Sequence, residues 1–256
     1  MPDPTAFYEV GRGDPVVLIH GIGDDHRAWR RVVGALMLRH RVLLYDLRGH
    51  GRTPLGTADG TLEQLGEDLV ALLDARAIER ATLAGFSLGG TIAMRAALDH
   101  PDRVSALALV GTSSRVNRAA RAWYEERVAL VERDDPALRE TLDRDTDDVY
   151  RVQPQERADG RHIRRESTAD PRGYANACRA MARLGERPLD DELPTIAAPT
   201  LILAGALDQH CPPRAGEIIA QRIAGSELVV LPDTGHPLPV ERPAEVAGAI
   251  ARIAGA

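Results

Sequence analysis

The chain of 256 residues predicts an α/β fold: a mostly parallel central sheet with helices on both faces and a helical cap inserted into it. Three observations predict it. Apolar strand runs alternate with helical stripes toward both ends of the chain, as a parallel sheet covered by helices requires. A G-x-S-x-G pentapeptide, Gly85-Phe86-Ser87-Leu88-Gly89, stands between one such run and a helical stretch, the context of a sharp strand-to-helix turn. From Ser114 to Ala197 the alternation stops, and the composition becomes helical and highly charged. The core is therefore expected in residues 1–113 and 197–256, with the cap in 114–196.

The elements follow in order. Pro15-Val16-Val17-Leu18-Ile19 reads as a buried strand running into His20-Gly21-Ile22-Gly23, a glycine-rich loop suited to aiming backbone N–H groups at an oxyanion. Trp29, Val32, Val33, Leu36 and Met37 fall on one helical stripe, and Val42-Leu43-Leu44-Tyr45 follows as a buried strand. In Asp46-Leu47-Arg48-Gly49-His50-Gly51, Arg48 and His50 are read as organising a tight turn rather than as reactive groups. Leu62, Leu65, Leu69, Leu72 and Leu73 form a second stripe, with Thr61 and Gln64 placed for a capping box. Arg80-Ala81-Thr82-Leu83-Ala84 enters the pentapeptide, and Leu88 to Ala97 leaves it with small side chains, as a helix packed hard onto a sheet requires.

Val104 to Val110 is the next strand. In the cap, Tyr124, Val128 and Val131 share one face, and Tyr174, Ala177, Cys178 and Met181 share another. Such stripes ordinarily mean packing onto the core. The functional alternative is a roof over a substrate pocket, with Tyr124, Tyr174 and Met181 contributing to it. Arg161-His162-Ile163-Arg164-Arg165 is either a solvated face or a device that steers an acidic substrate. Beyond the cap, Thr200 to Asp208 reads as a strand ending near an acid, and a strand over Leu228 to Leu231 leads to Pro232-Asp233-Thr234-Gly235-His236. Val246, Ala249, Ile250 and Ile253 line the last helix.

Composition narrows the function. A net charge of −6 gives no reason to expect nucleic acid as a partner. Every basic residue is Arg, which excludes lysine-based mechanisms such as Schiff-base chemistry. Cys178 and Cys211 make no disulfide framework and point to a reducing cytoplasm. Met1-Pro2-Asp3-Pro4 is polar, and no later run approaches membrane-spanning length, so a soluble cytoplasmic protein without a membrane partner is expected.

The chemistry converges on three strand ends. Ser87 is a weak nucleophile unless a base takes its proton; His236 supplies that base, and Asp208 fixes its tautomer. The backbone N–H groups of Leu88 and Ile22 are the expected oxyanion donors. Such chemistry needs no metal and no organic cofactor, and its activity is expected to follow one ionisation near the imidazole's reference value of about 6.5. Asp233 lies too close to His236 on the same loop to reach the far ring nitrogen. No carboxylate follows Val110, where the sequence reads Gly111-Thr112-Ser113-Ser114. A metal site at Asp208, His210 and Cys211 lacks a fourth ligand at a recognisable spacing.

From about Phe7 to the C-terminus the chain resembles the α/β-hydrolase fold enzymes, whose chain order of Ser, Asp and His it shares. Within them it is most similar to 3-oxoadipate enol-lactone hydrolases and related esterases. That similarity rests on Gly66-Glu67-Asp68-Leu69, Phe86-Ser87-Leu88-Gly89-Gly90, Gly173-Tyr174-Ala175 leading to Cys178, and Gly216-Glu217-Ile218-Ile219-Ala220. The chain departs from them at His20-Gly21, where they carry Asn-Ser, and in lacking the acid that the resemblance leads one to expect soon after Met181. The resemblance implies cleavage of a small carboxylic ester or lactone through an acyl-enzyme. A hydrolase-derived sensor that keeps the triad but turns over slowly is the alternative. Carbon–carbon hydrolases are more distant, because Phe86 and Pro237 stand where they carry Asn and Trp.

Overall fold

Parallel strands cannot be joined by short hairpins and need crossovers, which the helical stripes provide. The computed structural model describes residues 5–255; the polar start Met1 to Pro4 lies outside them. Seven strands, β1 (Phe7–Val10), β2 (Asp14–Ile19), β3 (His40–Tyr45), β4 (Ala81–Phe86), β5 (Val104–Val110), β6 (Thr200–Gly205) and β7 (Glu227–Leu231), form one sheet in the order β1-β3-β2-β4-β5-β6-β7. β1 pairs antiparallel with β3, and every other pairing is parallel. The strand order reverses around β2. The loops after β2 and β4 therefore leave adjacent strand ends in a crevice, where such sheets place their ligands.

Side chains alternate across the sheet with the strand period of two. Val17, Ile19, Leu83, Leu107 and Leu109 enter one core, while Val16, Leu18, Ala84, Ala108 and Val110 enter the other. The second face is covered by α1 (Val33–Leu36), the short α9 (Leu238–Glu241) and α10 (Pro243–Ala254), the first by α2 (Leu62–Ala75), α3 (Leu88–Asp99) and α8 (Pro213–Arg222). Thr61 caps α2 by accepting from the Gln64 N–H at 3.1 Å. Gln64 turns instead to the Asp59 N–H, so only half of the expected capping box forms.

The stripe from Trp29 to Met37 is not one helix. It divides into a 3-10 turn over His26–Trp29 and the single turn α1. Gly34 and the β-branched Val32 and Val33 weaken helix propagation there, and α1 has no side-chain cap. β1 has no counterpart among the sequence expectations, because it is a short edge strand of exposed and half-buried residues with no apolar run to reveal it.

Between β5 and β6 lie α4 (Arg118–Glu132), α5 (Leu138–Val149), α6 (Arg157–Ser167) and α7 (Pro171–Arg183). Asn117 caps α4 and Asp170 caps α7, each side chain accepting a backbone N–H of the first turn. α4 packs along α7, and α5 along α6. Ala177, Ala180 and Met181 of α7 join the same core as α2 and α3, so the insertion is fastened to the sheet domain along this helix. Among the described residues, no helix is long and apolar enough to cross a membrane.

Candidate active site

Ser87 carries φ 53° and ψ −120° immediately before α3, a conformation that costs an L-residue energy and survives only where its surroundings enforce it. The flanking glycines make room for it. A Cβ on Gly85 would collide with the Gly89 carbonyl, and one on Gly89 with the Ile19 carbonyl. The Ser87 N–H donates to the Val110 carbonyl at 2.9 Å, and the Thr112 hydroxyl donates to the Ser87 carbonyl at 2.7 Å. The turn is thus held from the end of β5.

His236 Nε2 lies 3.1 Å from Ser87 Oγ, and His236 Nδ1 lies 2.7 Å from Asp208 Oδ2. The other oxygen, Asp208 Oδ1, accepts the backbone N–H groups of His210 at 2.8 Å and Cys211 at 2.9 Å. The loop after β6 therefore fixes the carboxylate and presents one oxygen to the ring. Both Asp208 and His236 are buried, whereas Asp233 is exposed. Glu241, which the sequence reading did not single out, steadies the histidine loop by accepting the Gly235 N–H at 2.6 Å. Burial raises the pKa of its carboxyl.

The glycine-rich loop after β2 lies against the serine: a Cβ on Gly21 would stand 3.2 Å from Ser87 Cβ. Two histidines set its path. His20 Nε2 accepts the Leu47 N–H at 2.9 Å, while His20 Nδ1 faces the Gly21 carbonyl at 2.8 Å. One ring nitrogen must accept and the other donate, which defines a neutral imidazole protonated at Nδ1. His50 Nε2 accepts the Gly23 N–H at 3.3 Å, and burial lowers the His50 pKa to about 4. Arg48 grips Asp68 at 2.6 and 2.8 Å. Both residues of this turn are structural, as the sequence reading held. Leu88 follows Ser87 directly, Ile22 lines the same cavity, and neither N–H has a protein acceptor among the described residues.

A cavity of about 610 Å³ opens over Ser87 and His236, within the range of small-molecule sites. Tyr124 lines it, together with Trp123 from α4 and with His210, whose ring centroid is 5.1 Å from that of His236. Burial is the main reason that the His210 pKa falls to about 4. Tyr174 and Met181 do not line the cavity, which corrects their reading as roof residues. Tyr174 packs against Leu142 and Cys178, and Met181 belongs to the main core. The apolar stripe of α7 is consumed by α4 on one side and the core on the other.

The basic cluster on α6 divides. Arg161 pairs with Asp147 and Arg165 with Asp143 at the surface, whereas Arg164 is buried and lines the cavity. Gly160, Ile163, Arg164 and Ser167 form the buried face of α6. Their i, i+3, i+4, i+7 spacing is a signal in the sequence that separates Arg164 from its neighbours, and the reading of the cluster as a whole missed it.

Asp208, His210 and Cys211 do not converge as metal ligands, because both Asp208 oxygens already accept hydrogen bonds. Asp25, His26 and Asp46 do bring ligand atoms together. Asp46, however, accepts from the His26 ring at 2.8 Å and from the Arg52 N–H at 3.0 Å, and Arg27 holds Asp25. Burial opposes ionisation of Asp46, yet the hydrogen bonds from His26 and Arg52 prevail and bring its pKa to about 2. The group works as a loop clasp.

Comparison with known proteins agrees with this geometry. A family model described as alpha/beta hydrolase fold matches residues 14–243. The chain is 32% identical over 234 residues to 3-oxoadipate enol-lactonase 1 of Acinetobacter baylyi, covering 89% of this chain and 84% of that one. It is 32% identical over 232 residues to the pimeloyl-(acyl-carrier protein) methyl ester esterase of Aeromonas hydrophila, covering 88% and 89%. The crystal structure of the enol-lactonase from Burkholderia xenovorans LB400 superposes with a TM-score of 0.88 at 28% identity, over 100% of this chain and 98% of that one.

Proposed function

This chain belongs to the α/β-hydrolase fold family, and from that membership we propose that it is a serine hydrolase of small carboxylic esters or lactones. One observation carries the reading: the unbroken hydrogen-bonded series from Asp208 through His236 to Ser87, at 2.7 and 3.1 Å. It ends on a serine whose strained backbone is held from the end of β5. The named activities of the enol-lactonase and the methyl ester esterase supply the bond type.

In this mechanism Ser87 Oγ attacks the carbonyl carbon while its proton passes to His236 Nε2. Asp208 stabilises the resulting imidazolium through Nδ1–H. The carbonyl oxygen becomes an oxyanion, stabilised by the Leu88 and Ile22 N–H groups, each donor contributing about 3–4 kcal/mol to the transition state. Collapse breaks the bond to the leaving oxygen, which takes the proton from His236. Water, deprotonated by the same nitrogen, then releases the acid and restores Ser87. For a lactone, leaving group and acid remain one molecule. The insertion over residues 114–196 acts as the cap, with Trp123 and Tyr124 above the acyl group.

The test is turnover by the purified protein of p-nitrophenyl esters, small lactones and enol lactones, with and without EDTA. Hydrolysis insensitive to the chelator is expected. Activity lost in EDTA and restored by zinc contradicts the mechanism.

A further inference from the structure

Five side chains with a carboxylate or guanidinium line the cavity, and three of them have partners. Arg115 pairs with Asp190, Asp145 with Arg127, and Arg214 with Glu217. Arg164 has no ion pair and no side-chain hydrogen bond among the described residues. It is 7% exposed, and its Nε is buried without an acceptor.

The guanidinium lies over the oxyanion loop, where a Cβ on Gly23 would stand 3.4 Å from its Cζ and Nε. α6 is fastened in that position. Ser167 Oγ donates to the Gly23 carbonyl at 2.5 Å, and the Gly51 N–H donates to the Ser167 carbonyl at 2.9 Å. A guanidinium stays protonated when buried, and a buried cation without a counter-charge is strongly disfavoured. A planar fork of donors facing a substrate cavity matches one ligand chemistry above others, a carboxylate bound through two parallel hydrogen bonds.

Resting on the reading of Ser87 as an esterase nucleophile, we infer that Arg164 anchors a second, free carboxylate of the substrate. The enzyme then acts on anionic half-esters or carboxylated lactones in preference to neutral ones. Asp24, on the same loop, lines the same cavity but lies beyond ion-pair distance of the guanidinium. Burial disfavours its ionised form, against the pull of the Arg164 charge. The Arg164 donors are thereby left to the ligand.

The experiment measures kcat/KM for monomethyl succinate, glutarate and adipate against the same esters with the free carboxylate replaced by a carboxamide. Wild type should favour the acid at its best chain length by about 10- to 100-fold, the range expected of a charge-assisted hydrogen bond. Arg164→Gln should abolish that ratio, mainly through KM. Arg161→Gln and Arg165→Gln, which remove equal charge from the surface, should preserve it. Titration of Ser87 with a neutral phosphonate counts folded, competent sites in each variant. Should Arg164→Gln not fold, competitive inhibition of wild type by glutarate or adipate, absent with the diamides, still decides the matter.

Hydrolysis of both series at equal kcat/KM overturns the inference and leaves the hydrolase reading standing. A preference missing from wild type but created by Asp24→Asn shows that Asp24 itself occupies the guanidinium, and also overturns it. Failure to hydrolyse any ester removes the premise, and the inference with it.

Discussion

At the scale of single residues, Ser87 is held in a strained backbone conformation with its hydroxyl 3.1 Å from His236 Nε2, the arrangement on which the proposed chemistry rests. Ser87→Ala should reduce kcat/KM by about 10⁴-fold or more, and His236→Ala similarly, because the two act as one unit. Asp208→Asn should cost somewhat less, since the ring keeps part of its support. Asp233→Asn, on an exposed turn, should change steady-state rates less than about twofold, in keeping with surface substitutions generally. Silence at Asp208 with loss at Asp233 would reverse the choice of acid. The three residues of the proposed triad could be picked out because each follows an apolar strand run, and strand ends are visible in one dimension. Arg164 was legible only as part of a cluster. That its neighbours have carboxylate partners on α5 while it has none is a property of the folded packing.

At the scale of elements, glycines separate turns that tolerate a side chain from turns that do not. Gly248 sits within α10 with open space around its would-be Cβ, so Gly248→Ala should raise stability by about 0.5–1 kcal/mol through helix propensity. Gly89→Ala drives a Cβ into backbone and should destabilise the protein while disabling Ser87. Urea denaturation of both variants checks the contrast. In the insertion, Met181→Ala should cost about 2–5 kcal/mol of stability with little change in substrate ranking. Trp123→Ala and Tyr124→Ala should alter the ranking of acyl chain lengths by kcat/KM, since pocket contacts bind competing transition states differently. The core strands β2 to β6 were readable because burial on both faces leaves continuous apolar runs. β1 and α1 were not, since an edge strand and a single helical turn are fixed by their neighbours rather than by their own pattern. Tyr174 and Met181 misled for a related reason, as an apolar stripe reports burial without saying against what.

At the scale of the whole molecule, His50 ties the glycine-rich loop after β2 to the fold's pH response. Its pKa falls on folding from 6.5 to about 4, so the unfolded chain binds the proton more readily. Stability from this group is complete above the unfolded value and is lost as pH falls from 6.5 toward 4. The loss amounts to about 2–3 kcal/mol by pH 4.5. His50→Gln, which retains an acceptor for the Gly23 N–H, should flatten the fall in unfolding free energy between pH 7.5 and 4.5, as measured by urea denaturation. An unchanged slope would show that His50 is not held neutral. The same loop, the turn at Ser87 and the loops after β6 and β7 lie at the carboxyl ends of the strands, and their convergence there is the basis for proposing hydrolysis through an acyl-enzyme. Mass spectrometry of the protein quenched during turnover of a slowly deacylating ester tests this most directly. The account predicts a mass increase equal to the acyl group, located on the peptide containing Ser87 and absent from Ser87→Ala; turnover with no adduct, or an adduct at another residue such as Cys211, would contradict it.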